Sequence, residues 1–373
     1  MVWKIGVAAK MPRVVRKIVD SRSFYSAMMS VVVVMIVYGI VSPHINLRVL
    51  SDLGLFGVSL LTLGFMMARS FSSLLHAILY ESLSPRYTGL IGLGLITSCY
   101  IMYSFFPTIL YPLVRLIEGF AAGLFWPLMQ SLLVNGVSPN WRSRMMSVYF
   151  LVGEFSGFIG YQVGSLIIYV FGESKLVFTG ILVIIAYTIV YSLLAPGKQH
   201  ISVHKERGKR TETGLSLVLS ESRYVKSLVP IILLVGGVNG LMKDYLFAYL
   251  KTITGFEETT LRNYWSIIGY SGLLLSLLVS HIQESMRKTK PVLIVSTFFT
   301  GSIVFLAFTE NPLIVFMILV LVTIGTRSLK PILRGIASNK TSRPEIGIAL
   351  VNSLTNIAAG TIPFMLGLLS LMI

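Results

Sequence analysis

Six ionisable side chains stand inside long apolar stretches of this sequence: Arg69, Arg115, Glu118, Glu154, Lys243 and Asp244. In hydrocarbon an ion near the bilayer centre costs about 2.5–3.5 kcal/mol on insertion scales, so each needs a partner, water or a function. A carboxyl held at low dielectric favours its neutral form and can carry a proton, while a guanidinium can orient a carboxylate or an anionic solute. Arg115 and Glu118 are three residues apart and can pair along one helical face. Glu154 has no ionisable neighbour at helical spacing, which makes it the leading proton-coupling candidate unless Arg69 or Arg115 reaches it; Glu118 is the second. Arg69 either snorkels toward the inner end of its helix or faces a central cavity. Lys243 and Asp244 fall near the outer end of their stretch, as a substrate or charge pair or as an ordinary rim pair. Trp126, with Tyr149 and Tyr161, offers a ring for stacking on a solute, although membrane helices use such residues mainly for packing and interface anchoring.

The elements that carry these residues must be membrane helices. Of 373 residues, 54% are hydrophobic and 12% charged, far from the quarter or so charged residues of a soluble domain. Mean hydropathy is +0.80. Runs such as SVVVVMIVYGIV and LVFTGILVIIAYTIVYSLL approach or reach the roughly 20 residues a helix needs to cross the hydrocarbon. The net charge of +16 does not imply a nucleic-acid partner, because the basic residues sit mostly in short connectors and form no continuous face. The single cysteine, Cys99, excludes an intrachain disulfide, a paired-thiol motif and a Cys-rich metal site. The expected partners are the lipid bilayer and a small-molecule substrate, with no cofactor and no metal.

Apolar runs bounded by charge, Pro and Gly predict an all-α polytopic protein with eleven crossings. They lie near 24–43, 53–79, 88–105, 108–134, 145–170, 175–195, 227–250, 263–282, 291–308, 312–333 and 345–372. The amino-terminal tail, 1–23, and alternate connectors hold 24 Lys and Arg residues, against four in the other connectors. The preference of positive loops for the inner side then places the amino terminus in the cytoplasm, and an odd count of crossings places the carboxy terminus outside.

The polar, basic stretch 196–226 reads as a cytoplasmic linker between a six-helix half, 24–195, and a five-helix half, 227–373. Internal similarity supports that division. Glu81-Ser82-Leu83 corresponds to Glu284-Ser285-Met286, and Gly157 and Gly164 to Gly360 and Gly367, at an offset of 203 residues; Pro127 corresponds to Pro331 at 204. By the same offset the second half lacks its sixth helix.

Specific motifs carry a resemblance. The stretch Arg115-Leu-Ile-Glu118-Gly119-Phe-Ala-Ala-Gly123-Leu-Phe-Trp126-Pro127 resembles the fourth-helix R-x-x-x-G motif of the major facilitator superfamily, followed by small residues and a proline. Nearly the whole chain is similar to that family, which implies two helical halves and secondary transport by alternating access. The family's loop signature G-x-L-a-D-R-x-G-R-R aligns with Ala77-Ile-Leu79-Tyr-Glu81-Ser-Leu-Ser-Pro-Arg86, where only Leu79, the acid at Glu81 and Arg86 remain. In the family that motif forms a charge-linked gating latch. The fifth-helix antiporter motif is met by Gly153, Gly157, Gly160 and Gly164, but Tyr161 and Ser165 replace its proline and last glycine, which argues against a drug/proton antiporter.

The physical content of these motifs stands apart from the family. Gly119 and Gly123, like Gly153 and Gly157, recur one turn apart, and small residues let helices approach closely for packing or gating. Pro127 removes an amide and can bend its helix.

The expectation is a proton-coupled secondary transporter of a small solute, not an enzyme. The alternatives are a non-transporting sensor or degenerate relic and, more remotely, an intramembrane serine hydrolase, since Gly269-Tyr-Ser271-Gly272 superficially resembles a G-x-S-G nucleophile motif.

Overall fold

The computed structural model describes residues 20–372, apart from 80–83, 139–140, 198–214, 287–288, 310 and 342–343. Its regular elements are helices: α1 (Ser21–Leu79), α2 (Pro85–Phe105), α3 (Tyr111–Asn135), α4 (Arg142–Phe171), α5 (Lys175–Leu194), α6 (Leu215–Val225), α7 (Val229–Gly240), α8 (Leu246–Thr254), α9 (Glu258–Met286), α10 (Thr289–Gly301), α11 (Pro312–Lys340) and α12 (Pro344–Leu369). A wide π-helical turn, Leu241–Tyr245, joins α7 to α8. The end of the stretch read as a linker is thus helix α6, while residues 198–214 of it lie outside the described residues.

The count of eleven separate crossings is corrected. Among the described residues, nine helices are long and apolar enough to cross a membrane. The stretches expected at 24–43 and 53–79 fall in one continuous run, Ser21–Leu79, in which Pro43 and the polar residues after it stay helical and two helices meet across a kink at Gly54 (φ 65°, ψ −169°). That left-handed backbone favours glycine, the one residue without a Cβ penalty there. The stretch expected at 263–282 lies within α9, which is not among the nine; from Ser280 on, its side chains lie outside the described residues.

Close helix contacts depend on glycine. A Cβ on Gly119 would overlap the Phe65 carbonyl, and one on Gly123 would overlap Ser72 Oγ and the Arg69 carbonyl, so these positions let α3 lie directly on α1. Gly39 and Gly160 do the same for α1 and α4. Gly157 is less confined, since a Cβ there would lie 3.4 Å from Met35 Cε. Between α7 and α12, Gly236 and Gly240 face the carbonyls of Thr355 and Ala359. Without a hydrophobic force between helices in lipid, such close packing supplies much of the cohesion. Gly119→Val is therefore expected to lower stability by about 1–3 kcal/mol, the usual scale of overpacking. Gly94→Val, which meets nothing within 4 Å, serves as the control. Thermal unfolding in detergent checks this, and equal losses for the two variants would refute a tight α1–α3 contact.

Polar contacts join the early helices to the later ones at two levels. At one, Arg262 of α9 donates to the carbonyls of Gly39 and Ile40 of α1 at 3.1 Å each and to Glu258 at 2.6 Å. A Cβ on Gly164 would strike that guanidinium, so Gly164 makes room for it. His44 and Glu173 approach Glu258 here, all ligand atoms lying within 4.8 Å. Arg262 already occupies one Glu258 oxygen and would repel a cation, so the cluster reads as a clamp between helices. At the other level, Ser70 bonds to Ser353, and Asn352 donates to Gln130 at 3.0 Å.

Candidate functional site

Between these two levels lies a cavity of about 250 Å³ lined by α1, α3, α4, α7, α9, α11, α12 and the π-helical turn. Its walls combine aromatic rings, among them Phe65, Trp126 and Tyr161, with polar and charged groups. Trp126 is buried in α3, its ring 6.4 Å from that of Tyr38. Pro127 follows it inside the same helix, and both are packed.

The charged residues fall into three groups. In the first, Arg115 Nη1 donates to Glu118 Oε2 at 2.7 Å, and Nη2 lies 3.4 Å from Asp244 Oδ1. Tyr103 donates to the same Glu118 oxygen at 2.9 Å, while Asn46 and Thr62 donate to Asp244 at 2.8 and 3.1 Å. Both side chains of the Arg115–Glu118 pair are 0% exposed. Ions so fully removed from water persist only with good geometry and added hydrogen bonds; the network supplies several, while Arg115 Nε and Glu118 Oε1 have no partner among the described residues.

Lys243 and Asp244 sit on the π-helical turn that follows α7. Asp244 is fully buried and both residues line the cavity, because the π-helical turn widens the path after Gly240 and turns them inward. Such turns often occur at functional positions. Lys243 Nζ sits 3.2 Å from the Phe65 ring centroid, with no hydrogen-bond acceptor among the described residues.

In the second group, Glu154 of α4 meets Arg327 at 2.6 Å and Lys330 at 3.1 Å, both from α11. Its partners are therefore neither Arg69 nor Arg115. Counted by sequence among the charges of a cytoplasmic connector, Arg327, Lys330 and Arg334 instead share one face of α11, at spacings of three and four residues, and all line the cavity. Arg327 and Lys330 fall within the crossing expected at 312–333, and the same spacing is the signal that puts Arg334 on their face.

The third group is Arg69 and Arg334. Arg69 lines the cavity 5.8 Å from the Phe65 ring, with no acidic partner among the described residues. Arg334 donates only to neutral acceptors, Asn352 Oδ1 at 2.8 Å and the Lys330 carbonyl at 3.1 Å, and lies 4.8 Å over Phe150.

The loop-signature residues stand apart. Glu81 lies outside the described residues, as does the side chain of Glu284 on α9; Arg86 is exposed on the first turn of α2. Among the described residues Ser271 has no histidine partner for the hydrolase motif.

No curated protein sequence matches the chain. In three dimensions it is similar to the human organic anion transporter MFSD10 (TETRAN), with a TM-score of 0.70 and 13% identity over 93% of this chain and 92% of that one. It is also similar to the nucleoside transporter NupG, with TM-score 0.67 and 14% identity over 93% and 90%. A D-xylose–proton symporter gives 0.66 and 15% over 91% and 90%. At these identities the likeness is one of fold. The profile of the Major Facilitator Superfamily matches residues 27–363. This many-helix bundle, closed around a charged and aromatic cavity, thus belongs to the Major Facilitator Superfamily.

Proposed function

We propose that the protein is a secondary carrier of a small organic anion, moved by alternating access and coupled to a proton through Glu154. Family membership makes it a multi-pass membrane transporter and not an enzyme. The anion reading is carried by the charge of the cavity wall, where five cations, Arg69, Lys243, Arg327, Lys330 and Arg334, face two acids, Glu154 and Asp244. Adding the buried Arg115–Glu118 pair leaves that excess unchanged. A low-dielectric cleft lined by one sign of charge concentrates ligands of the other. The volume suits a small solute, and the rings of Trp126 and Tyr38 offer it an apolar surface.

The moving units in this reading are 24–195 and 227–373, with the amino terminus in the cytoplasm, as the placement of Lys and Arg supports. Glu154 is preferred to Glu118 as the proton carrier because it lines the cavity with 22% of its side chain exposed, whereas Glu118 is sealed beside Arg115. Protonating Glu154 would release Arg327 and Lys330 to an arriving anion, so proton and substrate would favour each other's binding.

Thermal unfolding of the purified protein against carboxylates, organic phosphates, sugars, amino acids and cationic drugs tests the anion reading. A ligand at 100 times its Kd stabilises by about 2.7 kcal/mol. The expected result is a shift with an anion that Arg69→Gln removes. Shifts with neutral or cationic solutes alone, or none with a folded protein, would contradict it and in the last case favour a non-transporting member.

A further inference from the structure

The unpaired polar atoms of the cavity are not scattered. Arg69 of α1 and Arg334 of α11 both line the cavity, as do Tyr38 and Tyr149. Arg69 and Lys243 flank the same Phe65 ring. The Tyr38 and Tyr149 hydroxyls, the Lys243 ammonium and Asn356 Nδ2 are all buried with no hydrogen-bond partner among the described residues. Burying such donors unpaired costs about 1–3 kcal/mol each, more for a charged group. Tyr38, Tyr149, Lys243 and Asn356 all line the cavity together with Arg69 and Arg334, and they offer it donors that lack acceptors.

Resting on the anion reading above, we propose that Arg69, Arg334, Lys243, Tyr38 and Tyr149 form a head-group subsite for a terminal phosphate, either inorganic phosphate or a small phosphomonoester. A carboxylate brings one charge and two oxygens, which would leave part of this cationic, donor-rich wall unanswered. A terminal phosphate carries about −1.5 to −2 charges at pH 7, and its three strong acceptor oxygens can meet donors from several helices at once. Guanidinium groups match phosphate geometry bidentately, and Lys serves it as a point charge. Arg327 and Lys330 are answered by Glu154 and are not needed for this head group. A dianion held by both Arg69 and Arg334 would bridge α1 to α11 across the cavity.

Isothermal titration of the full-length protein in detergent with inorganic phosphate, methyl phosphate, dimethyl phosphate, acetate and succinate tests this. Methyl phosphate and dimethyl phosphate differ by one charge and one methyl group, so their comparison isolates the second charge. Methyl phosphate or inorganic phosphate is expected to bind at least about tenfold more tightly than dimethyl phosphate or either carboxylate, the effect of about 1.4 kcal/mol. Whichever of the two binds more tightly identifies ester or free phosphate as the cargo.

Arg69→Gln and Arg334→Gln should each weaken that binding by about 10- to 100-fold, as loss of a hydrogen-bonded charge does. Arg69→Lys and Arg334→Lys, which keep the charge but lose the fork, should fall in between. Lys175→Gln, exposed at the start of α5, should leave binding unchanged. Ligand-free unfolding temperatures and the monodispersity of each variant separate lost binding from lost fold. Binding of carboxylates without phosphates would overturn the phosphate assignment while leaving the anion reading standing. Wild-type-like phosphate binding by folded Arg69→Gln and Arg334→Gln would overturn the assignment of the subsite. Binding of neutral solutes alone would overturn both readings.

Discussion

Arg115→Leu is expected to be among the most damaging single changes in the protein, lowering stability by about 3–5 kcal/mol, the scale for breaking a buried ion pair from one side. The change strands two carboxylates at once. Glu118 would keep only the Tyr103 hydroxyl, and Asp244 only Asn46 and Thr62, in a place where neither acid reaches water. The charge left behind causes most of the damage, so the loss should be largely recovered in the triple variant Arg115→Leu, Glu118→Gln, Asp244→Asn. Replacing a whole buried ionic network is often neutral or even stabilising. Thermal unfolding in a fixed detergent measures both. Equal instability of the single and triple variants would mean that Arg115 contributes by packing, for instance through its contact with the Phe65 ring at 4.8 Å, and not by charge.

Glu154→Gln should separate two properties that the wild type combines. Uptake driven by an imposed pH gradient should fall by the whole coupling factor, about 5- to 150-fold for a coupling free energy of 1–3 kcal/mol, since glutamine cannot take up a proton. Exchange of internal for external substrate requires no net proton movement and should persist. Glutamine leaves Arg327 and Lys330 without a counter-charge, so substrate affinity should become less sensitive to pH and no weaker than in wild type. Counterflow and gradient-driven uptake in proteoliposomes, measured on one preparation, check both arms. A variant that still accumulates substrate against its gradient would remove Glu154 from the proton path and direct attention to Glu118 or Asp244.

What the sequence revealed depended on the distance over which each interaction acts. Arg115 and Glu118 were legible because their pairing is set by helical spacing within α3. Close packing at Gly119 and Gly123 was legible for the same reason, as a local spacing of small residues. The partners of Glu154 were not legible, since Arg327 and Lys330 lie more than 170 positions away on another helix, and nothing in the sequence says which faces of the two helices meet. The burial of Asp244 was not legible, because apolar length marks where a helix ends but not where it widens, and its partners Asn46, Thr62 and Arg115 come from other helices. The count of crossings failed for a related reason. Pro43, Arg48 and Asp52 look like a connector in a hydropathy profile, yet the backbone stays helical to Gly54. Breakers and charges mark places where a helix can end, and neighbouring helices decide whether it does.

The most direct test of the account is substrate-dependent flux in proteoliposomes containing the wild-type protein, with Arg69→Gln and Arg334→Gln beside it. Anions, neutral sugars and cations are offered in turn across a membrane of defined pH gradient. The account predicts saturable uptake of a small anion, accelerated by an inward proton gradient and lost in both variants. Saturable uptake of a neutral or cationic solute that both variants retain would contradict it.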